Sequence, residues 1–173
     1  MLLVTNTTDV KKEMNIFKLF EKKNQEKSVV GVLYPSKIII QTRDKRNDST
    51  WVSTDNSILL PSESTNEQLG LAVLQYLNLS KEENISNEEA KEIYERFKKK
   101  YKFRSDKAVM ANSRYVGIVQ NKTHIRFEPK QNKISYRAYY GMPNDKITID
   151  SKSNAEEIGK TLRSAWDKCL FIE

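Results

Sequence analysis

His124 and Cys169 are the only histidine and the only cysteine in the chain. A zinc site built on His and Cys cannot reach four ligands from them. A lone cysteine also forms no internal disulfide, which points to a reducing compartment. Cys169 falls on the apolar stripe of a C-terminal helix, where a thiol is inert. His124 alternates onto the face opposite Ile125 and Phe127, beside Arg126, and reads as a solvent-facing side chain. The glycines at 31, 70, 117, 141 and 159 are scattered, so no glycine-rich phosphate loop is present. The carboxylates gather at helix starts, where capping accounts for them, and not as a converging acid–base pair. The expectation is a protein that is not an enzyme and uses no cofactor or metal.

Binding suits these residue types better. Between residues 108 and 149 stand seven bases, Arg114, Lys122, Arg126, Lys130, Lys133, Arg137 and Lys146, against two acids, Glu128 and Asp145. Tyr136, Tyr139 and Tyr140 interleave with them. Cations beside aromatic faces suit single-stranded nucleic acid, with phosphates on the former and stacked bases on the latter. They suit a protein partner equally, since tyrosine and arginine dominate binding hot spots. An amphipathic sheet with a solvated charged face would show the same pattern. The candidate contact set is Lys122, His124, Arg126, Arg137, Tyr139 and Tyr140; Tyr140 alternates with Ile134 and also fits a core position.

A repeated unit positions these residues. The segment from Ile58 to Gly70 resembles that from Ile147 to Gly159 at an offset of 89. Each copy reads as a short strand, a polar turn and a Ser-x-x-Glu capping box, Ser64 with Glu67 and Ser153 with Glu156. Apolar residues then follow at helical spacing: Leu69, Val73, Tyr76, Leu77, and Ile158, Leu162, Ala165, Trp166, Cys169. Gly70 and Gly159 lie inside these helices, where glycine costs about 1 kcal/mol relative to alanine. Its recurrence predicts a close backbone approach at both. Upstream, Val30-Gly31-Val32-Leu33 aligns with Val116-Gly117-Ile118-Val119 at an offset of 86, which places Ile39 on Ile125. Strands are expected over 37–42 and 51–54 around a polar turn from Arg43 to Asp48. In the second copy, strands at 124–127 and 134–140 flank a turn from Glu128 to Asn132.

Between the halves, Ser86 and Glu89 form a third capping box ahead of Ala90, Ile93, Tyr94, Phe97 and Tyr101. Acids crowd the start of this helix and bases its end, which complements the macrodipole. Lys98-Lys99-Lys100 therefore reads as a helix end and not a phosphate cradle. An N-terminal helix over about 9–22 would turn Val10, Met14, Phe17 and Phe20 inward. With 173 residues, 38% hydrophobic, the chain fits a single domain over 1–173. Its repeat halves fall at about 28–80 and 113–170, with the inserted helix at about 86–101. Met1-Leu2-Leu3-Val4 is too short an apolar run for a signal peptide, and no run approaches a membrane span; a cytoplasmic protein is expected. The architecture expected is α+β, with an internally duplicated unit of several strands plus a helix and an inserted helix between the halves.

Leu69-Gly70-x-Ala72-Val73-Leu74, running to Ser80-Lys81, and Glu156-Glu157-Ile158-Gly159 resemble the immunity proteins of contact-dependent growth inhibition systems. Tyr101, Lys107-Ala108, Asn112, Ile118 and the stretch from Ile125 to Pro129 resemble that family's middle section. The likeness spans most of 28–170, departing at Lys81 and Lys168, where arginine is expected. The resemblance implies a non-enzymatic cytoplasmic inhibitor that binds the C-terminal toxin domain of a secreted effector, often a nuclease. It also implies a Whirly-like fold, α+β with two antiparallel sheets from a duplicated unit of four strands plus a helix, and single-stranded nucleic-acid binding becomes the alternative function. The formal net charge of +7 does not match the acidic inhibitor that a basic nuclease site would call for. A local acidic patch such as Glu82 to Glu95, an acidic toxin or a mostly apolar contact would each resolve this, because net charge governs encounter more than contact energy.

Overall fold

The computed structural model describes residues 25–172; the helix expected over 9–22 lies outside them. Runs of β-branched residues make the central strands, β1 (Lys27–Leu33) and β2 (Lys37–Lys45), which pair in a hairpin. Strand β3 (Trp51–Pro61) flanks β2, and helices α1 (Asn66–Leu77), α2 (Asn87–Lys100) and α3 (Asp106–Met110) follow. The second half supplies β4 (Arg114–Gln120), β5 (His124–Lys133), β6 (Ala138–Gly141), β7 (Ile147–Asp150), α4 (Ala155–Asp167) and β8 (Leu170–Ile172).

The expected two sheets are one. Lys27–Leu33 of β1 pairs antiparallel with Arg114–Gln120 of β4, joining the halves into an eight-stranded sheet ordered β3-β2-β1-β4-β5-β6. Its strands are antiparallel except for β8, which runs parallel to β5. Among the described residues the first half has three strands before its helix, not four. There β3 runs unbroken for 11 residues, where the second half interposes β6 and a 3-10 turn at Pro143–Asp145 ahead of β7. The turn expected at 128–132 is strand instead. β5 continues through it to Lys133, and the chain reverses in a 3-10 turn at Ile134–Tyr136 followed by Arg137 at φ 50°. β5 pairs with β7 through Phe127 and with β6 from Lys130. Glu128 and Pro129 fall between those partners, a break where a proline removes no ladder bond on that side.

The expected offset of 86 slips by one residue. Adding 87 to the β1–β2 pair Val29↔Thr42 yields the β4–β5 pair Val116↔Pro129, and Leu33↔Ile38 becomes Gln120↔Ile125. The β2–β3 pair Ile38↔Leu60 becomes the β5–β7 pair Ile125↔Ile149, with 87 on one strand and 89 on the other. A one-residue slip turns every side chain to the opposite face. Accordingly Gly31 faces Leu162 of α4, whereas Gly117 faces the other side, beneath Arg43 and Glu128. The two glycines, similar in sequence context, are not equivalent in space.

One face of the sheet is covered by α1 and α4. Val29, Ile38, Ile40, Ile118, Ile125 and Phe127 meet Leu69, Val73, Ile158, Leu162 and Trp166 there, and the Trp166 indole N–H donates to the Gly31 carbonyl at 3.0 Å. The other face is covered over β1 and β2 by α2 and α3, with Phe97, Tyr101 and Val109 on Val30, Val32 and Ile39. The caps of α1 and α4 sit one residue beyond the expected boxes. Thr65 accepts from the Gln68 N–H, and Asn154 from the Glu157 N–H. Ser64 instead donates its hydroxyl to the Pro61 carbonyl at 2.8 Å, closing the preceding turn. Ser86 caps α2 as expected.

The close approach expected at the two helical glycines is present and reciprocal. A Cβ on Gly70 would lie 1.8 Å from the Ala155 carbonyl oxygen, and one on Gly159 would lie 1.9 Å from that of Asn66. Both obstacles are backbone, so the helices would have to separate. Gly70→Ala or Gly159→Ala is therefore expected to destabilise by at least about 3 kcal/mol, the upper end of overpacking, despite alanine's better helix propensity. Gly117→Ala meets only the tips of flexible side chains, nearest Arg43 Nη2 at 3.2 Å, and should stay within about 1 kcal/mol of the parent. Urea unfolding of the three variants checks this contrast.

Candidate functional site

On the face opposite α1 and α4, β4 and β5 carry charge. Alternation along β5 sends Ile125 and Phe127 into the core and leaves Arg126, Glu128 and Lys130 on the other side. Gly117 of β4, lacking a side chain, leaves the floor low enough for groups from β2 and β5 to come together above it. A Cβ there would lie 3.2 Å from Arg43 Nη2 of β2 and 3.8 Å from both Glu128 Oε2 and Lys130 Cε of β5. Arg43 donates from Nε and Nη2 to the Ser28 hydroxyl at 3.0 and 2.7 Å, and its guanidinium lies 5.9 Å from the Trp51 ring centre. Lys45 approaches the same ring at 5.6 Å and pairs with Glu26 at 2.7 Å.

Glu128 is the hub of this cluster. Arg126 Nε donates to it at 2.7 Å, Lys130 Nζ at 3.3 Å, and Lys146 Nζ stands 3.9 Å away. Burial by itself would raise the Glu128 carboxyl. The hydrogen bond from Arg126 and the charges of Lys130 and Arg126 outweigh it and hold the group below its usual range. Arg43, Lys45, Arg126, Lys130 and Lys146 thus face two carboxylates, leaving a net positive surface with Trp51 at its side. Such a surface suits a carboxylate-bearing segment or a phosphodiester, with the indole offering a flat apolar contact.

The six residues expected to form one contact surface divide into two groups. Lys122 is exposed in the β4–β5 turn. His124 is engaged in that same turn: its ring nitrogens lie 3.2 Å from Asn121 Nδ2 and 3.0 Å from the Thr123 hydroxyl. Arg126 belongs to the Glu128 cluster. At the far end of β5, Arg137 is exposed after the 3-10 turn, and Tyr139 stacks on Tyr115 with ring centres 4.4 Å apart. The Tyr139 hydroxyl lies 2.7 Å from that of Ser113, and burial pushes the phenol well above its ordinary range. Tyr140 is 43% exposed and so is not a core residue; Lys133 Nζ sits 4.8 Å from its ring centre. About six strand residues, roughly 20 Å, separate the two groups along β5.

Arg43, Lys45 and Trp51 are the members that sequence reasoning missed. Arg43 was assigned to a turn beginning at that residue, but β2 runs to Lys45 and the reversal lies at 46–50, where Ser49 has φ 68° and Asp48 accepts from the Thr50 N–H. The available signal was the i, i+2 spacing of Arg43 and Lys45 ahead of Trp51, the pattern of a strand face. Cys169 is buried and its thiol is pushed up chiefly by burial. Among the described residues no group of three or more His, Cys, Asp and Glu side chains could hold a metal ion, and no helix is long and apolar enough to cross a membrane.

Comparison with known proteins bears on this site. The model of the CDI immunity protein family matches residues 75–169, more than half of the chain. Among solved structures, a protein of unknown function from Neisseria meningitidis superposes with a TM-score of 0.75 at 21% identity, covering 86% of this chain and 98% of its own. A CdiA-CT/CdiI toxin and immunity complex from Yersinia pseudotuberculosis superposes with a TM-score of 0.72 at 16% identity, covering 84% and 98%. At such identities the likeness is one of fold. No curated protein matches the sequence.

The Glu128 carboxylate generates a pH prediction. A depressed carboxyl contributes stability above the unfolded value, about 4.3, and that contribution is lost as pH falls through the depressed folded value. Glu128→Gln is expected to lower stability at pH 7 and to lose less of it than the parent between about pH 5 and pH 2. Denaturant titrations across that range would show a shallower acid limb in the variant.

Proposed function

Because the chain belongs to the CDI immunity protein family, we propose that it binds and neutralises the C-terminal toxin domain of one cognate effector, without catalysis and in the cytoplasm. The toxin is read as a nuclease. The observation that carries the assignment of a surface is the charged cluster around Glu128 above Gly117 on β4 and β5, with Arg43 and Trp51 at its side. Lys122, His124 and Arg126 at one end of β5, and Arg137, Tyr139 and Tyr140 at the other, are proposed to contact the toxin, with Arg43, Lys45 and Trp51 of β2 and β3 added. A non-catalytic role is supported by His124, whose ring nitrogens are both engaged within its own turn, and by Cys169, buried with a raised thiol.

We also read the chain as one domain over 1–173 built on an internally duplicated, Whirly-like unit. Support comes from the pairing registers that coincide at offsets of 87 and 89, and from the reciprocal contacts of Gly70 with Ala155 and Gly159 with Asn66. Single-stranded nucleic-acid binding is the second reading, favoured by Arg43 and Lys45 beside Trp51 and by Tyr136, 72% exposed.

Titration calorimetry at ~150 and ~300 mM salt separates the two. A toxin domain encoded beside this chain is expected to bind 1:1 and to stay bound at the higher salt. A ~20-nucleotide single strand is expected to bind negligibly. An oligonucleotide affinity that collapses between these salts, as neutralising several phosphates requires, with no toxin binding, would replace the immunity reading with the second one.

A further inference from the structure

Between α2 and the sheet lies a cavity of ≈330 Å³, walled by Val30, Val32, Val52, Phe97, Tyr115 and Tyr139. Aromatic faces make up much of this wall, and they favour another ring in an offset or edge-on pose. The volume is at the low end for small-molecule sites, roughly 300–1,000 Å³, and leaves room for one aromatic side chain and part of the segment that carries it.

Two polar side chains converge on the cavity. Gln41 is 6% exposed, and its Nε2 donates to the Thr54 carbonyl at 2.7 Å. That bond sets which way the amide points, so Oε1 is left as an acceptor with no hydrogen-bond partner among the described residues. Gln41 lines the cavity, so this oxygen is open to a donor placed there. Arg137 lines the same cavity, exposed and held at φ 50°. Its guanidinium makes no hydrogen bond or ion pair among the described residues. Asp106, the carboxylate within its electrostatic reach, is already held by Lys98 at 2.9 Å. Arg137 is therefore free to take an acceptor from outside.

We infer that this cavity receives one aromatic side chain bearing a hydrogen-bond donor, a tryptophan or tyrosine, from a toxin segment with a carboxylate beside it. The ring lies among Tyr115, Tyr139 and Phe97, its N–H or O–H donates to Gln41 Oε1, and the adjacent carboxylate pairs with Arg137. The inference rests on the immunity reading for its choice of donor, and the cavity is continuous with the proposed contact residues Arg137 and Tyr139. It places the anchor of the complex in the groove under α2 and not over the Glu128 cluster.

Two measurements test it on the full chain. In the first, N-acetyl-tryptophanamide is titrated while the Gln41 side-chain amide is followed by NMR. A saturable shift, weaker with the phenylalanine analogue that lacks the donor, is expected; no shift up to the solubility limit would overturn the assigned chemistry. In the second, toxin affinity is measured for Val52→Trp, which fills the cavity from a half-buried strand position, and for Arg137→Gly, which relieves the positive φ and should fold at least as stably as the parent. Both are expected to weaken toxin binding by at least about 30-fold, the loss typical of a hot spot. Both variants folded and binding within threefold of the parent would overturn the inference while leaving the immunity reading standing. A parent that binds no toxin would overturn the immunity reading and with it the toxin as source of the ring, and the tryptophanamide titration would then report on the cavity alone.

Discussion

The crossing of α1 and α4 is the constraint on which the rest of the molecule depends. Each helix places a glycine where the other's first turn passes, so the two backbones touch without intervening side chains. Two glycines in helix interiors cost about 1 kcal/mol each. In return the helices lie close enough together for Leu69, Val73, Leu77, Ile158, Leu162 and Trp166 to be fully buried on one sheet face. Each such side chain contributes roughly 1.5–3 kcal/mol, so burial outweighs the propensity loss severalfold. Arg163 reinforces the crossing by reaching over to Asn66 and the Ser64 carbonyl.

With that face filled, the opposite face of the central strands becomes the one that can differ between the halves. Over β1 and β2 it is closed by α2, whose Phe97 and Tyr101 pack on Val30, Val32 and Ile39. Arg96 fastens this helix to the edge of the sheet through a two-point contact with Asp55 at 3.0 and 2.7 Å, an exposed pair that fixes position more than it stabilises. Over β4 and β5 the same face keeps Arg126, Glu128 and Lys130, and Gly117 makes room for Arg43 among them. A single half-buried carboxylate gathers three cations there, so the site is both positively charged and internally tied. Recognition can therefore combine charge on the uncovered half with shape in the groove beneath α2.

Much of this was legible in the residues themselves. The helices at 66–77, 87–100 and 155–167 follow from apolar spacing, and the two helical glycines announced a backbone contact because nothing else explains a recurring penalty. The alternation of Arg126 against Ile125 and Phe127 placed the charge on the correct face. The turns were less legible. Glu128 to Asn132 is polar and contains a proline, yet it is strand, because β5 has a break between its partners at that point and the ladder bonds elsewhere carry it through. Arg43 was hidden for the same reason, a polar residue ending a strand being indistinguishable from one that begins a turn.

Register was beyond local reading altogether. Val-Gly-Val-Leu and Val-Gly-Ile-Val invite an alignment glycine to glycine, but cross-strand pairing shifts it by one, and a period of two converts that into opposite faces. The sequence by itself determined the element types, the helix-on-sheet core and the family. Only the tertiary structure decided that β1 and β4 fuse the halves into one sheet, that Arg43 and Glu128 both stand over Gly117, and that Gln41 and Arg137 border one cavity. These juxtapositions join residues about 80 to 100 positions apart, and no periodicity along a chain encodes which distant strand edge will offer the matching hydrogen bonds.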